Sequence, residues 1–169
     1  GVLSFFIVKN YETAEERDNR ETLEAHLGSI VYKFWERYDE MTNYNSEDVS
    51  IDSVREIKEI LMTTEPYSKE IDDIVQNELL HNINQNLYKI MDNIEISYNQ
   101  TSSFSDKDVK NYSFFFKEVE QTIDLIFDVY YKDRNSDEGK VTSKIKNFDE
   151  LIELNERLKE RIQFTEESN

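Results

Sequence analysis

The stretch LEAHLGSIVYKFWERYDEM, residues 23–41, decides the fold. Its apolar positions are Leu23, Leu27, Ile30, Val31, Phe34, Trp35, Tyr38 and Met41. Their spacing follows a helix period of three and four, which puts them on one side of an α-helix, because side chains so spaced stack on a common face. A half-buried strand would alternate at every second position, and this stretch does not. The helix is expected to run from about Glu12 to Asn43, with first turns that are almost wholly polar. Gly28 and Ser29 fall inside it. They mark either a break or a place where another backbone comes close, since Gly costs about 1 kcal/mol against Ala in a helix interior.

The same period recurs outward along the chain. Ser50 or Asp52 caps a short second helix carrying Ile51, Val54, Ile57, Ile60 and Leu61, which is expected to stop at Thr63-Thr64. Pro66 then stands where the first position of a third helix would fall, a place that tolerates proline. That helix carries Ile71, Ile74, Val75, Leu79, Leu80, Ile83, Leu87, Ile90, Met91 and Ile94, to about Tyr98. After a polar loop, Ser105 and Asp108 are spaced as a capping box. They open a fourth helix with Val109, Tyr112, Phe115, Phe116, Val119, Ile123, Ile126, Phe127 and Tyr130 on one face. Residues 133–139 break it, and a last helix begins near Thr142 or at an Asn147–Glu150 pair and carries Leu151, Leu154, Leu158 and Ile162. Three Gly and one Pro in 169 residues are too few for the turns of an all-β domain. The expected fold is therefore all-α, an antiparallel bundle of four long helices plus one short helix, in a single domain over residues 11–169.

The composition is 37% hydrophobic and 34% charged, with ten Tyr and ten Phe, enough to build a core. Thirty-seven Asp and Glu face twenty Lys and Arg, a formal net charge of -17. Nucleic acid would be repelled by such a surface, and a basic protein partner attracted. The absence of Cys rules out disulfides, thiolate metal sites and a Cys nucleophile. Residues 1–10 form an apolar segment in which six of the seven residues from Val2 to Val8 are apolar. Seven residues cannot span a bilayer, which needs about 20. Two readings stay open: the end of a transmembrane helix that begins upstream of Gly1 and tethers the domain, or an apolar strap on its body. The balance of the two tips towards membrane association.

Few residues carry chemistry. Glu78 and His81 make one Glu-x-x-His pair, but a di-metal bundle needs two, and position 23 ahead of His26 is Leu. Asp133, Asn135 and Asp137 have the D-x-N-x-D spacing of a calcium loop, yet Gly139 is one place late and Lys144 stands where the bidentate Glu belongs. No metal and no cofactor is assigned. Asn99-Gln100-Thr101 and Asn111-Tyr112-Ser113 match the glycosylation acceptor pattern and are read as chance in an Asn-rich chain. No phosphate loop and no nucleophile triad can be drawn. Phe114 lies about 200° around the helix from Tyr112 at 100° per residue, and Tyr131 follows the striped Tyr130, so both are candidate interaction residues unless a neighbouring helix, the second one for Phe114, covers them. The leading expectation is a non-enzymatic interaction or sensor domain. Its alternative is a free cytoplasmic acidic inhibitor, of phage type or a DNA mimic, that blocks a basic protein surface. A third, a metal-dependent helical enzyme, would rest on Glu78 and His81.

Overall fold

Thr13 and Glu16 open the first helix by reciprocal capping: Thr13 Oγ1 accepts from the Glu16 amide at 3.1 Å, and Glu16 Oε2 accepts from the Thr13 amide at 3.2 Å. The computed structural model describes residues 12–133 and 139–168. Among these there are five helices and no strands: α1 (Ala14–Met41), α2 (Ile51–Val75), α3 (Leu79–Thr101), α4 (Asp106–Tyr130) and α5 (Asp149–Glu167). The stripe of α1 is buried from Leu27 to Met41 except at Trp35, which is half-buried, while Leu23, at its end, is 40% exposed. Gly28 does not break the helix. Its nearest outside neighbour is Val141 Cγ2, at an ordinary 3.5 Å from where a Cβ would stand.

The second helix departs from the sequence reading. It is not short, does not stop at Thr63-Thr64, and holds Pro66 in its interior. Its buried stripe runs Val54, Ile57, Leu61, Thr64, Ser68 and Ile71, a series of three- and four-residue steps, with Asp72 buried beside its last member. The stripe continues, but two of its members are small and polar. They are tolerated inside because each hydroxyl is bonded locally: Thr64 Oγ1 donates to Ile60 O at 2.7 Å, and Ser68 Oγ to Glu65 O at 2.7 Å. Pro66 has no amide to give the Met62 carbonyl, and its ring crowds that turn. It sits on the exposed side, where water can take the freed carbonyl.

The break falls instead at residues 76–78. Gln76 adopts the left-handed conformation at φ 61° and ends α2, its amide donating to Asp72 O. The Asp72 side chain reaches forward: Oδ1 accepts from the Leu80 amide at 3.2 Å and Oδ2 from the His81 amide at 2.8 Å. A residue of one helix thus caps the start of the next, replacing the cap that Glu78 does not supply. Asp72 is only 3% exposed. Burial pushes its carboxyl up to about 6, against the two amides that favour the charged form.

Ser50 and Ser105 cap α2 and α4 as their sequence positions require, and Ser105 with Asp108 completes a capping box. Helix α5 starts later than Thr142, and Asn147 does not pair with Glu150 but accepts from the Asp149 amide at 2.8 Å. Helix α1 packs on α2 and α4, and α3 packs on α2, α4 and α5, which also touches α4. The shortest of the five is the last helix, at 19 residues, and not the second, at 25. Tyr38, Met41, Leu61, Ile71, Ile83, Leu87, Phe115 and Ile126 fill the interior. Tyr38 donates to Asn84 Oδ1 at 2.9 Å, and Asn84 Nδ2 donates to Leu61 O at 2.9 Å, so both polar atoms of this buried amide have a partner. Among the described residues no helix is long and apolar enough to cross a membrane, and Val2–Val8 lies outside them.

Two outcomes follow. Pro66→Ala restores a backbone donor within α2 and raises the unfolding free energy by about 1 kcal/mol or more in urea titrations. Were Pro66 at a helix start, the change would leave stability level or lower it. The second concerns pH. Asp72 titrates near 3.8 when unfolded and near 6 when folded, so between these values the folded chain holds the extra proton. Stability contributed at this site therefore falls as pH rises from about 4 to about 6. The stability difference between the native chain and Asp72→Asn should shrink across that window by on the order of 2 kcal/mol. Parallel pH profiles would refute it.

Candidate functional site

The chemistry-bearing residues of the sequence do not converge. Glu78 is exposed at the N-cap of α3, with no side-chain cap bond. The His81 ring is half-buried with Nδ1 4.0 Å from Glu65 Oε1, while His26 lies on α1 and meets Glu70 at 2.7 Å. No group of three His, Cys, Asp or Glu among the described residues could hold a metal ion. Asn135 and Asp137 lie outside the described residues; Asp133 ends the described part of that loop. Asn111 is 3% exposed and bonded on both amide atoms, to Thr165 and Arg161, so it is no glycan acceptor.

The two candidate aromatics part company. Phe114 is half-buried, and α5 rather than α2 covers it: the Arg161 guanidinium carbon stands 4.7 Å from the ring centre. Tyr131 is half-buried too, but it closes a file of four rings across α1 and α4. Tyr32 and Trp35, one turn apart on α1, have ring centres 5.7 Å apart. Trp35 meets Phe127 of α4 edge-on at 6.1 Å, and Phe127 meets Tyr131 at 5.4 Å. Tyr32 is 54% exposed, and Trp35 and Phe127 are half-buried. Exposed carboxylates sit within one turn of these rings: Glu36 and Asp39 on α1, and Asp124 and Asp128 on α4. Ring faces carry negative potential, so rings and carboxylates together favour a cation.

A buried acid braces one end of this file. Tyr131 and Val141 form an antiparallel bridge that draws the two arms of the α4–α5 connection together. Glu24 of α1, 7% exposed, holds the connection down: it accepts from the Ser143 amide at 2.7 Å, from Ser143 Oγ at 3.2 Å and from Lys132 Nζ at 3.2 Å. Burial pushes the Glu24 carboxyl up, but the Ser143 amide and the Lys132 ammonium outweigh it and hold it below the ordinary value. Sequence reasoning missed Tyr32 and Glu24. Tyr32 was legible as the i, i−3 neighbour of Trp35. Glu24 carried no signal, since one acid among thirty-seven does not announce its burial.

Glu24→Gln keeps the shape but loses the charge that meets Lys132. It should lower stability at pH 7 by about 1–2 kcal/mol. Because the native carboxyl is held low, that cost should vanish as pH falls below its unfolded value near 4.5. A cost that persists in acid would contradict the assignment.

No family model matches this chain, and neither a curated protein nor a solved structure does.

Proposed function

We propose that this chain is a non-enzymatic interaction domain that receives a basic protein segment on the file Tyr32, Trp35, Phe127 and Tyr131. The single observation behind this reading is that file with its rim of carboxylates. Aromatic side chains give large contact area at little conformational cost and are enriched at interfaces. The acidic rim supplies attraction at a distance, and the ring faces supply it on contact. The helices are taken as an antiparallel bundle, which the short connections 76–78 and 102–105 and the pairing of neighbours favour. A membrane tether remains part of the proposal through Val2–Val8; an apolar stretch of about 20 residues upstream of Gly1 is what it requires.

The acidic-inhibitor alternative has the net charge behind it. A mimic of nucleic acid would gather its carboxylates on one face. Here exposed carboxylates lie on α1, α2, α4 and α5, so the aromatic file is the more specific feature.

Trp35 is the only Trp of the chain, so its fluorescence reads this surface directly. Titration with an Arg-rich and a Lys-rich peptide should change the emission saturably. Tyr32→Ala and Phe127→Ala should each weaken binding about tenfold, the scale of an interface aromatic. Binding that is unmoved by both variants and decays with salt alone would favour the diffuse acidic surface instead. No binding to either peptide would end both readings.

A further inference from the structure

The second region of note lies where α4 begins and α5 ends, away from the aromatic file. A cavity of about 620 Å³ there is lined by Lys107, Lys110, Asn111, Arg161, Phe164 and Ser168, among others. Three cations on one cavity are out of keeping with a chain of net charge -17. Four other arginines meet carboxylates: Arg20 meets Glu12, Arg37 meets Glu40, Arg55 meets Glu95 and Arg157 meets Glu118, while Arg17, exposed in the first turn of α1, has no such partner among the described residues. Arg161 meets none either. Its Nε donates to the Asn111 carboxamide oxygen at 2.7 Å, and its plane is held over the Phe114 ring. Asn111 is itself fixed, because its Nδ2 donates to Thr165 Oγ1 at 3.0 Å. The guanidinium is thus oriented by neutral partners, and its terminal amino groups donate to no described residue. Lys110 is exposed and likewise has no partner among the described residues. The nearby Asp108 is already engaged by Ser97 Oγ at 2.7 Å and the Ser105 amide at 2.9 Å. Lys107 is engaged too, donating to Thr165 O at 3.4 Å and Ser168 Oγ at 3.0 Å.

We infer that this cavity binds a phosphoryl group carried on an apolar or aromatic stem. A planar guanidinium can grip two oxygens of one anion, and a separate ammonium adds a point charge. A carboxylate is satisfied by the guanidinium alone, whereas a phosphate monoester has the oxygens and charge for both. Phe164, 66% exposed on the cavity wall, offers a flat apolar surface to whatever carries the phosphoryl group. The inference does not depend on the aromatic file of α1 and α4.

The test is a titration of the full chain with phenyl phosphate at ionic strength fixed by sodium chloride, followed by amide and arginine Nε NMR signals. Saturable shifts at residues 110, 111 and 161–164 are expected. Arg161→Lys, which keeps the charge but loses the fork, should weaken binding at least tenfold. Lys110→Ala and Phe164→Ala should each weaken it several-fold; Lys110 makes no described contact, so that variant keeps the fold. Benzoate should bind at least tenfold more weakly than phenyl phosphate. Shifts that rise linearly and match those of chloride overturn the site. Wild-type affinity in both Lys110→Ala and Arg161→Lys does the same, and benzoate binding as well as phenyl phosphate overturns the phosphoryl assignment.

Discussion

The buried carboxylate of Asp72 is the joint on which the arrangement turns. It ends one helix with its backbone and starts the next with its side chain, so the α2–α3 connection needs only residues 76–78. Helix α3 then lies against α2, α4 and α5, and its seam with α2 is the most extensive helix pairing in the molecule. The cost is electrostatic. A carboxylate enclosed by protein would rather hold its proton, and two amide donors offset that only in part. Glu24 answers the same problem differently: with an ammonium and a hydroxyl beside it, it stays ionised. Burial alone does not set the direction of a shift; the partners do.

Helix α5 is fastened in a third way. Leu151, Leu154 and Leu158 give it an apolar stripe, and polar side chains do the rest. Arg157 donates to both oxygens of Glu118, which is 3% exposed, and Asn86 Nδ2 donates to Asn155 Oδ1 at 2.7 Å. Directional bonds of this kind fix register, which an apolar stripe with repeating steps leaves open by a turn. Arg161 belongs to this seam, and its orientation over Phe114 is a by-product of docking α5.

The helical character of the chain was plain in its sequence, since stripes such as Leu27–Met41 and Tyr112–Tyr130 repeat at helix period without interruption. The ends of α2 were not. Thr64 and Ser68 continue its stripe with hydroxyls, which a count of apolar residues discards, and Pro66 beside them looks like a beginning. The true ends were hidden for another reason. Left-handed C-terminal positions usually betray themselves as Gly, but here Gln76 and Ser102 occupy them at φ 61° and 55°. The candidate surface was half legible. Tyr131 stood out against its stripe, but the ring contact that joins it through Phe127 to Trp35 spans two helices, and no local pattern encodes it. The Arg161 cavity was illegible, because which cations escape neutralisation depends on tertiary pairing throughout the molecule.

The bond from Glu24 to Ser143 joins residues 119 positions apart. Contacts within the α2–α3 hairpin are local, and closing a short loop costs less entropy than closing a long one. The middle of the chain can thus organise while both flanks are still unstructured. On a ribosome, α1 is made first yet cannot secure its buried acid until residue 143 has emerged. The apolar stripe of α1 can meet α2 early, but Glu24 has to wait for residue 143, so the acid end of that helix is the last part of it to be secured.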